Sequence, residues 1–347
     1  MRFPVLSFFF VLLLAGLSGC VTKLDLPDRT ADRKLVLLGE LVASDTVVLR
    51  LGQTTPVTQG SKAQVPSPAG ISAAFLKEAI QITTLMPRVD DRTPDLQTLL
   101  FSSAQRIFSG SRYTVRVTGG AYPDLAATVQ VPHPFVAAVI DTATVTYAGG
   151  TALRVLIRIY DPAGEANFYS VDALRQSFQI SGKFTYDSDT FDLISDKDFY
   201  DSLKENGITP VRYVDTFHHP AQERLQIYTN DVETENLKLA TPFAVARRIL
   251  LTDQTFAGSR HDLQVFISKD RFRGRFPDDL GRIVVNVKSL TPEYFLYLRS
   301  YETFTPTTST GYLAQPVRIE SNVTGGLGVL GASFRVPFYY SFDPNPF

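Results

Sequence analysis

Gly110-Ser111-Arg112-Tyr113-Thr114-Val115-Arg116-Val117-Thr118 decides the fold class. Tyr113, Val115 and Val117 alternate with Arg112, Thr114 and Arg116, the period of two expected of a half-buried β-strand. One face of this stretch should be buried and the other wet. Gly119-Gly120 supplies a turn, and Ala126-Ala127-Thr128-Val129-Gln130-Val131 reads as the strand returning beside it. Pro132-His133-Pro134 breaks any continuing pattern, so a domain boundary is placed there. Composition agrees with strands: 12% of residues are aromatic, with 25 Phe and 15 Tyr, while 22 Gly and 21 Pro are spread as punctuation.

Upstream, Leu35 to Leu41 and Asp45 to Leu51 are strand-like runs joined by Val42-Ala43-Ser44, a hairpin-length connection. The Pro-rich stretch from Thr54 to Gly70 is a loop. Ser72 to Ile80 reads equally as a short helix or a strand. Downstream, Thr142 to Tyr147 and Thr151 to Tyr160 form a hairpin around Ala148-Gly149-Gly150. Phe168 to Ile180 follows, and the polar residues Ser181 to Gln222 are an excursion from the sheet. Within it Ser195 caps a short helix, with Asp198 as capping-box partner and Gly207 as the stop. Further strands are expected at Arg224 to Thr229, Asp262 to Ser268 and Arg282 to Val287. Thr291-Pro292-Glu293 opens a helix running through Arg299, and the aromatic tail Phe334 to Phe342 closes a sheet. The expectation is a mainly β protein: an immunoglobulin- or transthyretin-like sandwich over residues 34–132, then a larger β domain over 135–347 with short helical insertions.

The N-terminus speaks to location. Arg2 and the apolar run Val5 to Leu14 look like the charged and hydrophobic regions of a secretory signal covering residues 1–19. A transmembrane helix needs about 20 apolar residues, more than this run offers. Leu17-Ser18-Gly19-Cys20 has the lipobox pattern of bacterial lipoproteins, and Cys20 is the sole cysteine. Acyl chains there would each contribute about 0.8 kcal/mol per buried methylene and hold the chain firmly to a membrane. Residues 20–33 then read as a lipidated tether. With Cys20 acylated, no disulfide or thiolate metal site remains. The net charge is −1 and the basic residues are scattered, so no nucleic-acid partner is expected.

Motifs that carry chemistry are scarce. Asp187, Asp189, Asp192, Asp196 and Asp198 have spacing that can gather around Ca²⁺. Counted from Asp187, however, an EF-hand loop would need Gly in place of Asp192 and Glu in place of Asp198. These acids therefore read as solvated loop residues with one helix cap. Of the histidines His133, His218, His219 and His261, the adjacent pair points in different directions on either regular element. Gly325-Gly326-Leu327-Gly328-Val329-Leu330-Gly331 lacks the Lys-Ser/Thr ending of a phosphate loop and reads as a glycine turn. Asn322-Val323-Thr324 is an incidental sequon. A hydrolase would have to assemble scattered carboxylates in the fold. No catalytic, cofactor-binding or metal-binding residue is assigned, and the one assigned site is lipid attachment at Cys20.

Four places carry a family resemblance: Cys20 with a short linker to Lys34-Leu35-Val36-Leu37-Leu38-Gly39; Gly110-Ser111-Arg112-Tyr113 through Tyr122-Pro123 to Val131-Pro132; Leu290 to Leu298; and Pro316 to Val323 running into Gly325 to Gly331. The chain resembles the Bacteroidota outer-membrane lipoproteins of the uncharacterised "domain of unknown function 4249" family. It departs from their pattern at Gln315, before Pro316, and at Leu330, where an aromatic is more usual. The resemblance implies an outer-membrane lipoprotein whose relatives are often encoded beside TonB-dependent transporters. It implies no enzyme activity, cofactor or catalytic residue. The expected function is a non-enzymatic cell-envelope lipoprotein acting as accessory or ligand-capture partner of such a transporter. A surface adhesin or glycan-binding lipoprotein is the alternative, and a hydrolase the third reading.

Overall fold

The computed structural model describes residues 33–54, 66–67, 70–89, 98–119, 122–147, 149–178, 180–217, 221–235, 245–272, 280–308 and 319–341. The expected signal, Cys20 and nearly all of the tether lie outside them, as does most of the loop after Thr54. The chain is mainly β. The first segment carries β1 (Leu35–Val42), β2 (Thr46–Gln53), β3 (Ser72–Lys77), β4 (Ile80–Leu85), β5 (Pro87–Val89), β6 (Leu99–Arg106), β7 (Arg112–Thr118) and β8 (Leu125–Gln130). Beyond residue 134 come β9 (Val136–Tyr147), β10 (Gly150–Tyr160), β11 (Phe168–Phe178), β12 (Ile180–Tyr186), β13 (Asp189–Asp192), helix α1 (Lys197–Glu205) and β14 (Val211–Phe217). Then follow β15 (Ala221–Arg224), β16 (Ile227–Tyr228), β17 (Val245–Ala246), β18 (Ile249–Thr252), β19 (Arg260–Ser268), a 3-10 turn (Lys269–Phe272), β20 (Leu280–Leu290), helix α2 (Pro292–Thr308) and β21 (Leu327–Ser341).

A nine-stranded sheet organises the molecule, in the order β15-β11-β20-β21-β1-β2-β6-β5, with β18 also pairing β11. Two further sheets pack in turn on its inner face. Over β1, β2 and β6 lies the sheet β4-β3-β7-β8, and the interface buries Leu37, Leu49, Phe75, Phe101, Tyr113 and Val115. Tyr113 belongs to the alternating stretch that announced the fold; its ring stacks on Phe75 and its hydroxyl accepts from the Phe108 N–H at 3.0 Å. Over β11 and β20 lies β17-β16-β19-β10-β9, burying Ile157, Val171, Val265, Ile283 and Val285. Each core is thus closed by two sheets face to face, the arrangement of a β-sandwich.

The last strand serves both cores. β21 runs parallel to β1 and antiparallel to β20. Leu330 and Ala332 sit in the first core, while Val336, Phe338 and Tyr340 pack against the second. Phe334 touches both. Pro132-His133-Pro134 joins the two cores along the chain, and the shared sheet crosses between them.

Several local expectations need correction. Ser72 to Ile80 is neither one strand nor a helix: β3 ends at Lys77, and Glu78 and Ala79, with φ of 46° and 68°, turn the chain into β4. Two consecutive left-handed residues suit the twist of a hairpin, but without Gly or Asn the sequence hides them. Glu78 is fixed there, since its carboxylate accepts from the Arg112 N–H at 2.7 Å. The cap of α1 is Asp196, not Ser195, and it makes no side-chain cap bond; Gly207 does follow the helix, at φ 78°. The stretch Leu327 to Gly331 is strand rather than turn, because β21 begins seven residues before Phe334. Helix α2 continues to Thr308, past Arg299. Thr291 Oγ1 lies 3.4 Å from the Ala332 N–H, tying the helix start to β21. The polar excursion forms its own sheet, β13-β12-β14, closed by Tyr200 and Leu203 of α1 against Phe184.

Candidate ligand groove

The outer face of the large sheet is built from the residues that alternate with the core. On β20, Ile283, Val285 and Val287 point inward, so Val284, Asn286 and Lys288 point out. Register then aligns strands: Asn286 faces Asp172 on one side and Pro337 on the other, and Val284 faces Tyr339. Helix α2 covers part of this face through Tyr294, Phe295 and Leu298, against Leu250, Leu290 and Val329. The uncovered part mixes polar side chains with exposed Leu38 and Val48.

Beside the helix lies a charge network. Glu40 Oε1 accepts from Lys288 Nζ at 2.8 Å and Ser333 Oγ at 2.6 Å, and Oε2 accepts from the Tyr294 hydroxyl at 3.1 Å. Burial pushes the Glu40 carboxyl up, but the Lys288 charge and the three hydrogen bonds outweigh it and hold the pKa at about 2. Burial, then the Glu40 charge, pushes the Tyr294 hydroxyl well above its usual range. Asp172, 2% exposed, accepts from Arg224 at 2.9 Å and from Asn286 Nδ2 at 2.9 Å, and stands 3.9 Å from Lys288 Nζ. With its pKa held at about 2, Glu40 carries its charge near neutral pH and spends it on Lys288, Ser333 and Tyr294.

Next to this network the strands leave a groove of about 320 Å³, near the lower end of ligand-site volumes. Its walls include Arg282, Arg335, Asp45, Gln176, Asn286 and Tyr339. Arg282 donates to Gln176 Oε1 at 2.8 Å and lies 4.5 Å over the Tyr339 ring. Arg335 Nη2 bonds both Asp45 oxygens, at 3.1 and 3.0 Å. Asn286 is 1% exposed, and its Oδ1 has no hydrogen-bond partner. Flipping the amide would set two oxygens against each other at Asp172, so the orphan acceptor is fixed. Such a group costs about 1–3 kcal/mol until something donates to it.

None of the sequence-level candidates falls in this groove. Asp192 Oδ1 accepts from the Ile194 and Ser195 N–H groups, which lowers its pKa, and Asp196 Oδ2 accepts from the Asp192 N–H. Those acids therefore shape the loop into α1. Among the described residues, no group of three or more His, Cys, Asp or Glu side chains could hold a metal ion. His133 sits against Gly110, and His261 bonds Asp231 at 2.7 Å while stacking on Phe256. His218 and His219 lie outside the described residues. Asn322 pins the β21 backbone at Leu330, donating to its carbonyl and accepting from its N–H. Asn286 and Lys288 were missed because alternating polar residues on a strand read as a wet face, and Glu40 because a single acid in an otherwise apolar strand matches no motif.

No helix among the described residues is long and apolar enough to cross a membrane. A family model described as "Domain of unknown function (DUF4249)" matches residues 21–335. No curated protein matches the chain.

Proposed function

The chain belongs to the DUF4249 family, and from that premise we propose that it is a non-enzymatic cell-envelope lipoprotein that captures a small ligand beside an outer-membrane TonB-dependent transporter. The observation that carries the ligand-binding part is the groove with a buried, unpartnered acceptor in its wall. An unpartnered buried acceptor is costly, and a donor brought to it by a ligand would offset that cost. Attachment rests on the lipobox ending at Cys20, and the transporter on the family resemblance. Capture from detergent-solubilised membranes of the source cells tests the partnership: a TonB-dependent transporter should come down with the lipidated chain. Recovery of the chain alone, or an unmodified Cys20 thiol by mass spectrometry, would count against it.

The adhesin reading keeps one favouring observation. Tyr160, Tyr213 and Tyr339 are each about half exposed, although they stand on β10, β14 and β21 in three different sheets. A glycan platform requires neighbouring rings; Tyr301, 45% exposed, stacks on Tyr297 of α2 at 6.2 Å, and a single such pair is a smaller surface than the groove.

A further inference from the structure

The sheet β17-β16-β19-β10-β9 ends on a long strand with one side open. Among the described residues β9 pairs with β10 alone, so its other edge is the end of the sheet. Natural proteins blunt such edges with lysine, proline or a bulge. β9 holds neither lysine nor proline, and its one bulge, at Ile140, leaves Asp141 to Tyr147 in regular register. Only two residues separate Tyr147 from its partner Gly150, which makes them a hydrogen-bonded pair. Counting back by twos, Val145, Ala143 and Asp141 also bond β10, so Thr142, Thr144 and Thr146 turn their backbone groups to the open edge. These three threonines are exposed, and no described residue outside β9 and β10 hydrogen-bonds them.

We propose that β9 is a homodimerisation edge, on which Asp141 to Tyr147 pairs antiparallel with the same stretch of a second copy, Thr144 opposite Thr144 of the partner subunit. The stretch complements itself. A two-fold axis at Thr144 engages all of Asp141 to Tyr147, more than an axis at Ala143 or Val145 would, and keeps the open backbone groups in phase. Thr142 then meets Thr146, and Ala143 meets Val145. Asp141, the only charge on β9, meets Tyr147 and not its own counterpart. This self-match is what favours a second copy over a strand of another protein. The product is one ten-stranded sheet, five strands from each copy. So short a pairing buries less than a standard interface, so the dimer is a weak one.

Disulfide trapping of the full chain in cell membranes is the experiment, with the unaltered chain as control because Cys20 is its only cysteine. Opposed residues of a hydrogen-bonded antiparallel pair stand about 5.5 Å apart at Cα, within disulfide reach. T144C should therefore give a species of twice the chain's mass on mild oxidation. T142C should give about tenfold less, since four residues of strand set Thr142 about 14 Å from its own counterpart. T144P removes an N–H that β10 does not use, which an edge strand tolerates, and should weaken dimerisation about tenfold in sedimentation of the detergent-solubilised chain. Absence of a T144C dimer overturns the proposal, as do equal yields from T144C and T142C. An equal yield from the unaltered chain places the bond at Cys20 and overturns it too. Trapping of T144C to a different protein means a foreign strand fills the edge, and association unchanged by T144P removes β9 as the interface. If T144P fails to fold, the trapping comparison still decides, because it exchanges exposed threonines for a side chain of similar size.

Discussion

At Glu40, burial and charge oppose each other and charge wins. The folded carboxyl titrates at about 2 against an ordinary 4.5. A depressed pKa means the ionised form favours the folded state, so this stabilisation is complete above pH 4.5 and is lost as pH falls from there towards 2. The upper bound is about 3 kcal/mol at about 1.4 kcal/mol per pH unit. Glu40→Gln should cost about 3 kcal/mol at neutral pH, because Lys288 is left with Asp172 at 3.9 Å. Urea melts of the variant should also be flatter between pH 4.5 and 2; an unchanged acid slope would mean the network does not carry this term. In the folded strand Leu35, Leu37 and Leu41 face the core, which leaves Glu40 on the outer face of β1. The company Glu40 keeps was not legible in the sequence, since Lys288 and Tyr294 come from 248 and 254 residues away.

At the scale of the element, β21 explains why a glycine-rich stretch is strand. Gly328 has φ 105°, and a Cβ there would sit 2.0 Å from the Leu37 carbonyl oxygen of β1. At Gly331 a Cβ would sit 2.2 Å from the Tyr294 ring of α2. Glycine is needed because backbone and helix come close on both sides, a requirement that exists only once β1, α2 and β21 have met. The sequence shows the glycines but not their neighbours, which is why they read as a turn. Gly328→Ala should cost about 3 kcal/mol and speed hydrogen exchange in β1 and β21 together; faster exchange in β21 alone would contradict their coupling. Helix α1 makes a smaller case. Asp192→Ala should lower the melting temperature more than Ser195→Ala, since Asp192 satisfies two backbone N–H groups and Ser195 is not the cap. Equal effects would restore Ser195 as the cap of the helix.

For the whole molecule, the shared sheet makes the order of the chain a poor guide to what folds alone. Residues 33–132 contain nearly all of the first core, and the alternation in β7 together with the strand-like runs of β1, β2 and β8 made that sandwich legible. They lack Leu330 and Ala332, which are buried in that core, and they lack the parallel partner of β1. A fragment ending at residue 132 therefore exposes the inner edge of β1, seven register pairs long, together with an opened core. Expressed alone it should give poorly dispersed amide resonances and little exchange protection, whereas the intact chain should melt with one transition in which β1 and β20 lose protection together. A well-dispersed, protected fragment would show that the first sandwich closes without β21. The same reasoning bears on the groove, because Asp45 comes from the first segment and Arg282, Asn286 and Arg335 from the second. Ligand binding then requires both segments in one sheet, and the groove exists only after the last strand has joined them.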